Sequence, residues 1–425
     1  MIRRVGTYIR GSVDALEDRD FRLYWIGQTT SGLGDSLVWV AYAWAVLEVG
    51  GDASALGLVL AANALPRVVF LLVGGVWADR LPRQLVMVGA DVVRGLVAGA
   101  MAILFLTGTA EVWHLAVGAA LNGAASAFFI PAATGVMPQL VAGPRLQQAN
   151  ALMNLSQSLT WVIGPTLSGL IVATGGPGFV FAIDGVSFAI STISLLALSL
   201  PRLVVAPRTS FLADLAGGLQ EVMSRSWLRA GLVVFALSNM ANAAFQVLGP
   251  VIIDRELGGA ASWGFILTFG ALGAVVGGAI GLRWKPARPL LASFAICVLI
   301  SFNVLALIPP AAVPVLAIVN FGAILAVILG NTLWDTTVQQ HVPQEALSRV
   351  NSYDWMVSLI FQPIAFAIVG PLALAIGEDQ TLALAFVVGA GANVAILAVP
   401  SVRNLRRRDH PESEPAAADV GPAIS

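Results

Sequence analysis

GGVWADRLPRQ, running from Gly74 to Gln84, decides how the rest of the chain is read. It carries Asp79, Arg80 and Arg83, yet a long apolar run lies on each side of it. A charged turn so placed belongs at a membrane surface, with one helix entering lipid before it and another after it. Composition extends that reading to the whole chain. Of the 425 residues, 57% are hydrophobic and 11% charged, against about 25% charged in a soluble globular protein. Such a chain lacks the polar surface to face water all round, and reads as a polytopic protein of the lipid bilayer. The net charge of −1 argues against nucleic acid as a partner. Cys297 is the only cysteine, and His114, His341 and His410 form no ligand pair, so neither a disulfide framework nor a metal site is expected. The first 22 residues show no short apolar core with a small-residue cleavage site, so no cleaved signal peptide is expected.

A spanning helix needs about 20 largely apolar residues. Twelve runs qualify, over 22–48, 54–77, 85–107, 113–137, 148–173, 177–200, 229–252, 261–282, 289–308, 312–334, 348–375 and 380–401. They are too long and too continuously apolar for barrel strands, so the expected fold class is an all-α membrane protein. Lys and Arg set the orientation. All of them except Arg67, Arg94 and Arg255 fall in the tails, in loops or at helix starts on the side of the termini. The opposite loops hold Glu48, Asp52, Glu111, Glu378 and Asp379. Both termini are therefore expected in the cytoplasm, in a cell (inner or plasma) membrane.

The longest connection, 201–228, splits the helices six and six. The expected organisation is a tail over 1–21, a six-helix bundle over 22–200, a cytoplasmic linker over 201–228, a second bundle over 229–402 and a disordered tail over 403–425. Phe211, Leu212, Leu215, Leu219, Val222 and Met223 recur at helical spacing in the linker, as in an amphipathic interfacial helix. The halves also look repeated. VMPQLVAGPRLQQANA meets TVQQHVPQEALSRVNS at a shift of 201, pairing Gln139 with Gln340, Val141 with Val342, Leu146 with Leu347 and Asn150 with Asn351. Gly75 and Arg80 match Gly278 and Arg283 at a shift of 203, although Leu282 stands where Asp79 would. Two pseudo-symmetric bundles are expected.

Polar groups within a span are costly, so they face a cavity or one another. Asp35 lies about 20 Å into the first helix and Arg67 about 15 Å from the end of the second, at 1.5 Å per residue. Two readings stand: a titrating carboxylate whose charge is exchanged against Arg67 or a cationic substrate, or a fixed ion pair locking helix 1 to helix 2. Asp91 and Arg94, three apart on one helix face, form a gating or structural pair or a proton site. Asp184, near the outer end of helix 6, and Asp354 are weaker candidates, and Asp335 is interfacial. Neutral polar residues recur in the spans: Asn63, Asn122, Asn154, Gln157, Asn239, Asn242, Gln246, Asn303 and Gln362. Interhelical hydrogen bonds are their default use, and some would line a cavity beside Trp161 and Phe245. A broad, mostly apolar cavity suits a bulky amphiphile better than a sugar or phosphate. No phosphate-cradling loop or metal-spaced cluster supports enzyme chemistry.

The stretch at Gly74–Gln84 resembles the loop 2–3 signature of the major facilitator superfamily, G-x-x-x-D-R-x-G-R-R/K. Gly75, Asp79, Arg80 and Arg83 fit, while Pro82 replaces a glycine and Gln84 the last basic residue. The resemblance implies a fold of twelve helices in two bundles. It also implies a gating role in which Asp79 caps helix 11, Arg80 pairs with a nearby acid, and the two latch the outward-open state. GPTLSG, Gly164 to Gly169, looks like the end of the antiporter signature G-x-x-x-G-P-x-x-G-G, with Gly164, Pro165 and Gly169 in place and Ser168 and Thr160 substituting glycines. A bend at Pro165 with small residues for close packing explains the same residues physically. In helix 4, Ala119 stands where exporters of this superfamily carry an intramembrane Arg; Arg67 or Arg94 would have to substitute. DFRLYWIGQTTSGLGDSL and IPAATGVMPQLVAG are similar to the branch that contains enterobactin exporters and macrolide efflux proteins.

The expected function is secondary active transport. The chain reads as a monomeric, proton-coupled exporter of a bulky amphiphile such as a drug, macrolide or siderophore, working by alternating access and using no bound cofactor. The alternatives are an importer or facilitator of a small metabolite, or a transport-dead sensor or assembly protein on the same scaffold.

Overall fold

The computed structural model describes residues 15–141, 145–199 and 219–407, without the side chains of 71–80, of Pro138 and of some residues between 344 and 359. Most of the linker, both outer tails and the side chains of Gly75, Asp79 and Arg80 thus lie outside the described residues. So do Phe211, Leu212 and Leu215 of the expected interfacial helix; residues 219–224 at its end are helical.

Twelve long helical segments account for the twelve apolar runs. They are α1 (Arg19–Glu48), α2 (Ala53–Arg80), α3 (Arg83–Leu106), α4 (Val112–Leu140), α5 (Arg145–Gly175), α6 (Pro177–Leu196), α7 (Ser226–Glu256), α8 (Gly259–Gly281), α9 (Pro289–Leu305), α10 (Val313–His341), α11 (Gln344–Ile360 and Gln362–Ile376) and α12 (Glu378–Ala395). Ten are long and apolar enough to cross a membrane by length and composition. α1 falls short because of its Gln28–Ser31 polar run and Asp35, and α9 because it is short and holds a 3-10 turn over Val298–Ser301. Several helices outrun their apolar stretch at the end where the chain begins and finishes, here the near end. α1 starts at Arg19 rather than 22 because the Asp18 carboxylate accepts from the N–H groups of Asp20 and Phe21. α10 runs on to His341. α11 breaks at Phe361, just before Pro363, which cannot donate the next helical bond.

Packing repeats between the halves. α2 lies on α4 as α8 lies on α10, and α1 lies on α6 as α7 lies on α12. The halves meet mainly through α5 on α8 and α2 on α11, which are each other's equivalents. The structure therefore has two pseudo-symmetric six-helix bundles. The shift of 201 residues recurs in backbone geometry. Gly176, before α6, and Gly377, before α12, are 201 apart and both take positive φ, +83° and +99°. A residue with a Cβ would be strained at either turn.

At the far end, where α1 ends and α2 begins, the halves touch backbone to backbone. A Cβ on Gly264 of α8 would run into the Pro165 carbonyl of α5, and one on Gly169 of α5 into the Ala260 carbonyl. The equivalents do the same: Gly57 of α2 faces the Phe366 carbonyl of α11, and Gly370 faces Ala53 and Ser54. Pro165 and Phe366, like Gly169 and Gly370, are 201 apart, so one seam is the symmetry copy of the other.

Candidate functional site

Arg94 organises the interior of the first half. It lies 11 residues past the start of α3 and is 7% exposed. Its guanidinium stacks over Phe188, 4.2 Å from the ring centroid, and also faces Phe129. Nη2 bonds to the Asp35 carboxylate of α1, and Nη1 is 3.7 Å from the carboxylate of Asp91 one turn back on α3. The Asp91–Arg94 pair expected from spacing is therefore present. The partner of Asp35, however, is Arg94 rather than Arg67, and the link runs from helix 1 to helix 3 rather than to helix 2. Helices 1 and 2 are joined by a turn but pack little on each other; α1 lies mainly against α5 and α6. Arg67 is exposed, with Asp35 and Arg94 within electrostatic reach.

α6 completes the cluster. Asp184, Ser187, Ser191 and Ser194 recur at three- and four-residue steps, so they form one stripe, and all four are buried. Ser191 donates to Asp91 at 2.6 Å and accepts from Gln28 of α1 at 3.2 Å. Asp184, only 2% exposed, lies against Gly34 of α1, where a Cβ would meet its carboxylate. It is about 10 Å into the helix at 1.5 Å per residue, too deep for the helix-end position expected of it. The spacing of the four polar residues is the signal that identifies it. Asp35 differs from these groups in keeping a side chain 39% exposed, beside Arg94 at 8% and Asp91 at 0%.

Across the cluster from α6, toward the far end, the halves enclose a pocket. Trp39 and Ala43 of α1 and Leu56 and Leu60 of α2 form one wall, with Phe245, Gln246 and Pro250 of α7 and Trp263 and Leu267 of α8 opposite. The rings of Phe245 and Trp263 stand 5.0 Å apart. Gln246 Oε1 is buried without a hydrogen-bond donor. Phe245 and Gln246 are the cavity candidates that the pocket includes; Trp39 and Trp263 are additional, and aromatic residues are ordinary in spans, so nothing in the sequence distinguishes them. Above the pocket the Trp44 indole N–H donates to Asp254 at 2.9 Å, joining α1 to α7. Lower down, the Thr166 and Thr268 hydroxyls meet at 2.6 Å and Thr268 donates to the Val162 carbonyl. These three hydrogen bonds cross between the halves above and beside the pocket.

The remaining candidates divide between packing and open positions. Asn63 donates to the Ala119 carbonyl at 3.1 Å, and Gly123 beside Asn122 lets α2 and α4 close up. Asn239 donates to the Ser358 carbonyl beside the break in α11. Asn303 donates to Asn320. Asn154, Gln157 and Trp161 share one exposed face of α5; Asn242 and Gln362 are half-buried. In the GPTLSG segment, Gly164 abuts Ser36 and Ser168 donates to the Leu37 carbonyl at 2.6 Å, so this side packs on α1 while Pro165 and Gly169 pack on α8. Arg83 donates to the Gly135 carbonyl of α4 at 2.6 Å. Gln84, where the superfamily signature has a cation, donates to the Leu195 and Leu198 carbonyls at the end of α6. Among the described residues no three His, Cys, Asp or Glu side chains gather as a metal site would need.

The sequence profile of the Major Facilitator Superfamily matches residues 24–360. The chain belongs to the Major Facilitator Superfamily. It is a multi-pass membrane transporter, not an enzyme. Among curated relatives, the Multidrug efflux pump Tap of Mycolicibacterium fortuitum is 26% identical over 368 residues, covering 83% of this chain and 88% of that one. The Macrolide efflux protein A of Streptococcus pyogenes is 23% identical over 398 residues, covering 92% and 97%. Among solved structures, a bacterial homolog of the human lysosomal transporter Spinster, inward-facing and unoccupied, superposes with a TM-score of 0.69 at 12% identity, covering 92% of this chain and 98% of that one. The nucleoside transporter NupG gives 0.70 at 12% identity, covering 91% and 100%. At such identities the structures share the superfamily fold.

Proposed function

We propose that this superfamily member exports bulky amphiphilic small molecules, of the drug or macrolide kind, in exchange for protons. The observation that carries the reading is the Asp35–Arg94 pair. Arg94 is fixed by burial and by the Phe188 ring, while Asp35 keeps a partly exposed carboxylate. A proton or a cationic substrate that reaches Asp35 removes its charge from Arg94, so binding and the internal electrostatics are linked. Trp39, Phe245 and Trp263 give the boundary between the halves an apolar, aromatic surface, the kind that an amphiphile rather than a sugar or phosphate would meet. The names of the efflux relatives point the same way.

With both termini cytoplasmic, the seal made by the glycine seams and Trp44–Asp254 faces outward. A proton taken up by Asp35 from outside is then released inside as substrate leaves. The functional unit is a single chain. In cells loaded with ethidium or a macrolide, expression should speed energy-dependent efflux, and Asp35→Asn should slow it at least tenfold. Efflux by Asp35→Asn at the wild-type rate, with unchanged pH dependence, removes Asp35 from the coupling. Accumulation of the dye or macrolide on expression reverses the direction of transport.

A further inference from the structure

The buried charges of the first half do not balance. Asp35, Asp91 and Asp184 are three carboxylates; Arg94 is the one buried guanidinium among them, and Arg67 is a second cation at an exposed position. Arg94 is already engaged by Asp35 and by Asp91, and Asp91 also accepts from Ser191. One oxygen of Asp91, like Nε of Arg94, is buried without a hydrogen-bond partner, so the charges beside Asp184 are themselves incompletely satisfied. Asp184 has less still. Among the described residues no cation lies within 4 Å of it. Its polar neighbour, the Ser187 hydroxyl, donates to the Asp184 backbone carbonyl at 2.7 Å and reaches the carboxylate only at 3.5 Å. The groups within electrostatic or hydrogen-bond reach of it are Asp35 and Tyr42 from α1, Asp91 and Arg94 from α3, and Ser187 from its own helix. Two of the charged groups are carboxylates like itself. A lone carboxylate charge in such a place is among the costliest groups to bury, and its acid form among the cheaper.

We infer that Asp184 is a second proton-carrying residue of the transporter and holds the cluster's proton while Arg94 is engaged by Asp35. The exchange balances as follows. When Asp35 becomes neutral by taking up a proton, its ion pair with Arg94 is lost. The guanidinium then turns to Asp184, whose O–H bond breaks, and the proton leaves to water. The reverse exchange restores the present arrangement. One charge pair persists throughout, and the net charge of the cluster does not change. Asp184 is thereby a proton site without direct contact with the pocket. The inference deepens the proton-coupled reading, but its test reads protonation rather than export.

The test is infrared spectroscopy on the purified full chain in lipid nanodiscs at neutral pH. The wild type should show the carbonyl band of a protonated carboxylic acid. Asp184→Asn should remove that band, and Asp354→Asn, on α11, should leave it. Asp35→Asn should remove it too, because a permanently neutral residue 35 frees Arg94 for Asp184. An undiminished band in Asp184→Asn overturns the proposal. Should that variant not fold, the wild type itself decides. Dicyclohexylcarbodiimide modifies protonated carboxyls in apolar surroundings, and peptide mass spectrometry should place the adduct on Asp184. Adducts confined to other carboxyls overturn the inference. Neither readout involves a substrate, so an error in the proposed cargo or direction leaves both interpretable.

Discussion

Asp35 and Arg94 form a pair whose one member is partly exposed and whose other is fixed, and Gly34 is the surface against which Asp184 packs. A valine at position 34 would push into the Asp184 carboxylate and the Ser187 hydroxyl. Overpacking of this kind costs about 1–3 kcal/mol, so Gly34→Val should lower the thermal midpoint of the detergent-solubilised protein and weaken efflux. A midpoint within error of wild type would show that α1 and α6 are not in that contact. Gln84 makes a quieter case. Its amide satisfies two carbonyls at the end of α6, the task a cation performs at many helix C-termini. Gln84→Ala should cost about 1 kcal/mol in stability, and Gln84→Lys should recover most of it; the same thermal assay checks both.

At the scale of elements, the two glycine seams are the notable feature. Gly169 and Gly264 let α5 and α8 touch at the backbone, and Gly370 and Gly57 do the same for α11 and α2. Because the seams are symmetry copies, equivalent substitutions should have equivalent effects. A leucine at 169 or at 370 cannot fit the sealed far end. A penalty of about 1–3 kcal/mol on that conformation alone shifts the equilibrium by about 5–150-fold. Pulsed electron–electron resonance between spin labels at the far ends of α2 and α11 should report a longer mean distance for both variants. A shift in Gly169→Leu without one in Gly370→Leu would mean that only the α5–α8 seam gates. The far-end turns at Gly176 and Gly377 belong to the same repeat, so the duplication is visible in turns and in contacts alike.

For the whole molecule, the seal at one end fixes which positions a reagent can reach. Gln157 sits on an exposed face of α5 on the near-end side of the Val162–Thr268 contact. In a Cys297→Ser background, which removes the only native thiol, Gln157→Cys should react with a membrane-impermeant maleimide in inside-out vesicles and not in intact cells. Labelling from outside would reverse either the orientation or the conformation. Cys297 itself is buried against α10, so its own labelling should be negligible.

The sequence by itself determined the number of helices, their approximate spans, the superfamily and the Asp91–Arg94 pair. Each rests on local chemistry: lipid demands apolar runs of fixed length, and residues three apart on a helix must share a face. It also showed the repeat, through matches around Gln139 and Gln340. Tertiary structure alone decided that Asp35 meets Arg94 rather than Arg67, because helix 1 packs on helices 5 and 6 and only slightly on its chain neighbour, helix 2. It alone placed Asp184 beside Asp35, Asp91 and Arg94, since the spacing of Asp184, Ser187, Ser191 and Ser194 marks a polar stripe without saying which neighbours the stripe meets. It also paired the glycines: Gly57 and Gly370 look unremarkable in sequence, and acquire meaning only where two backbones 201 and 207 residues removed from their counterparts close on each other.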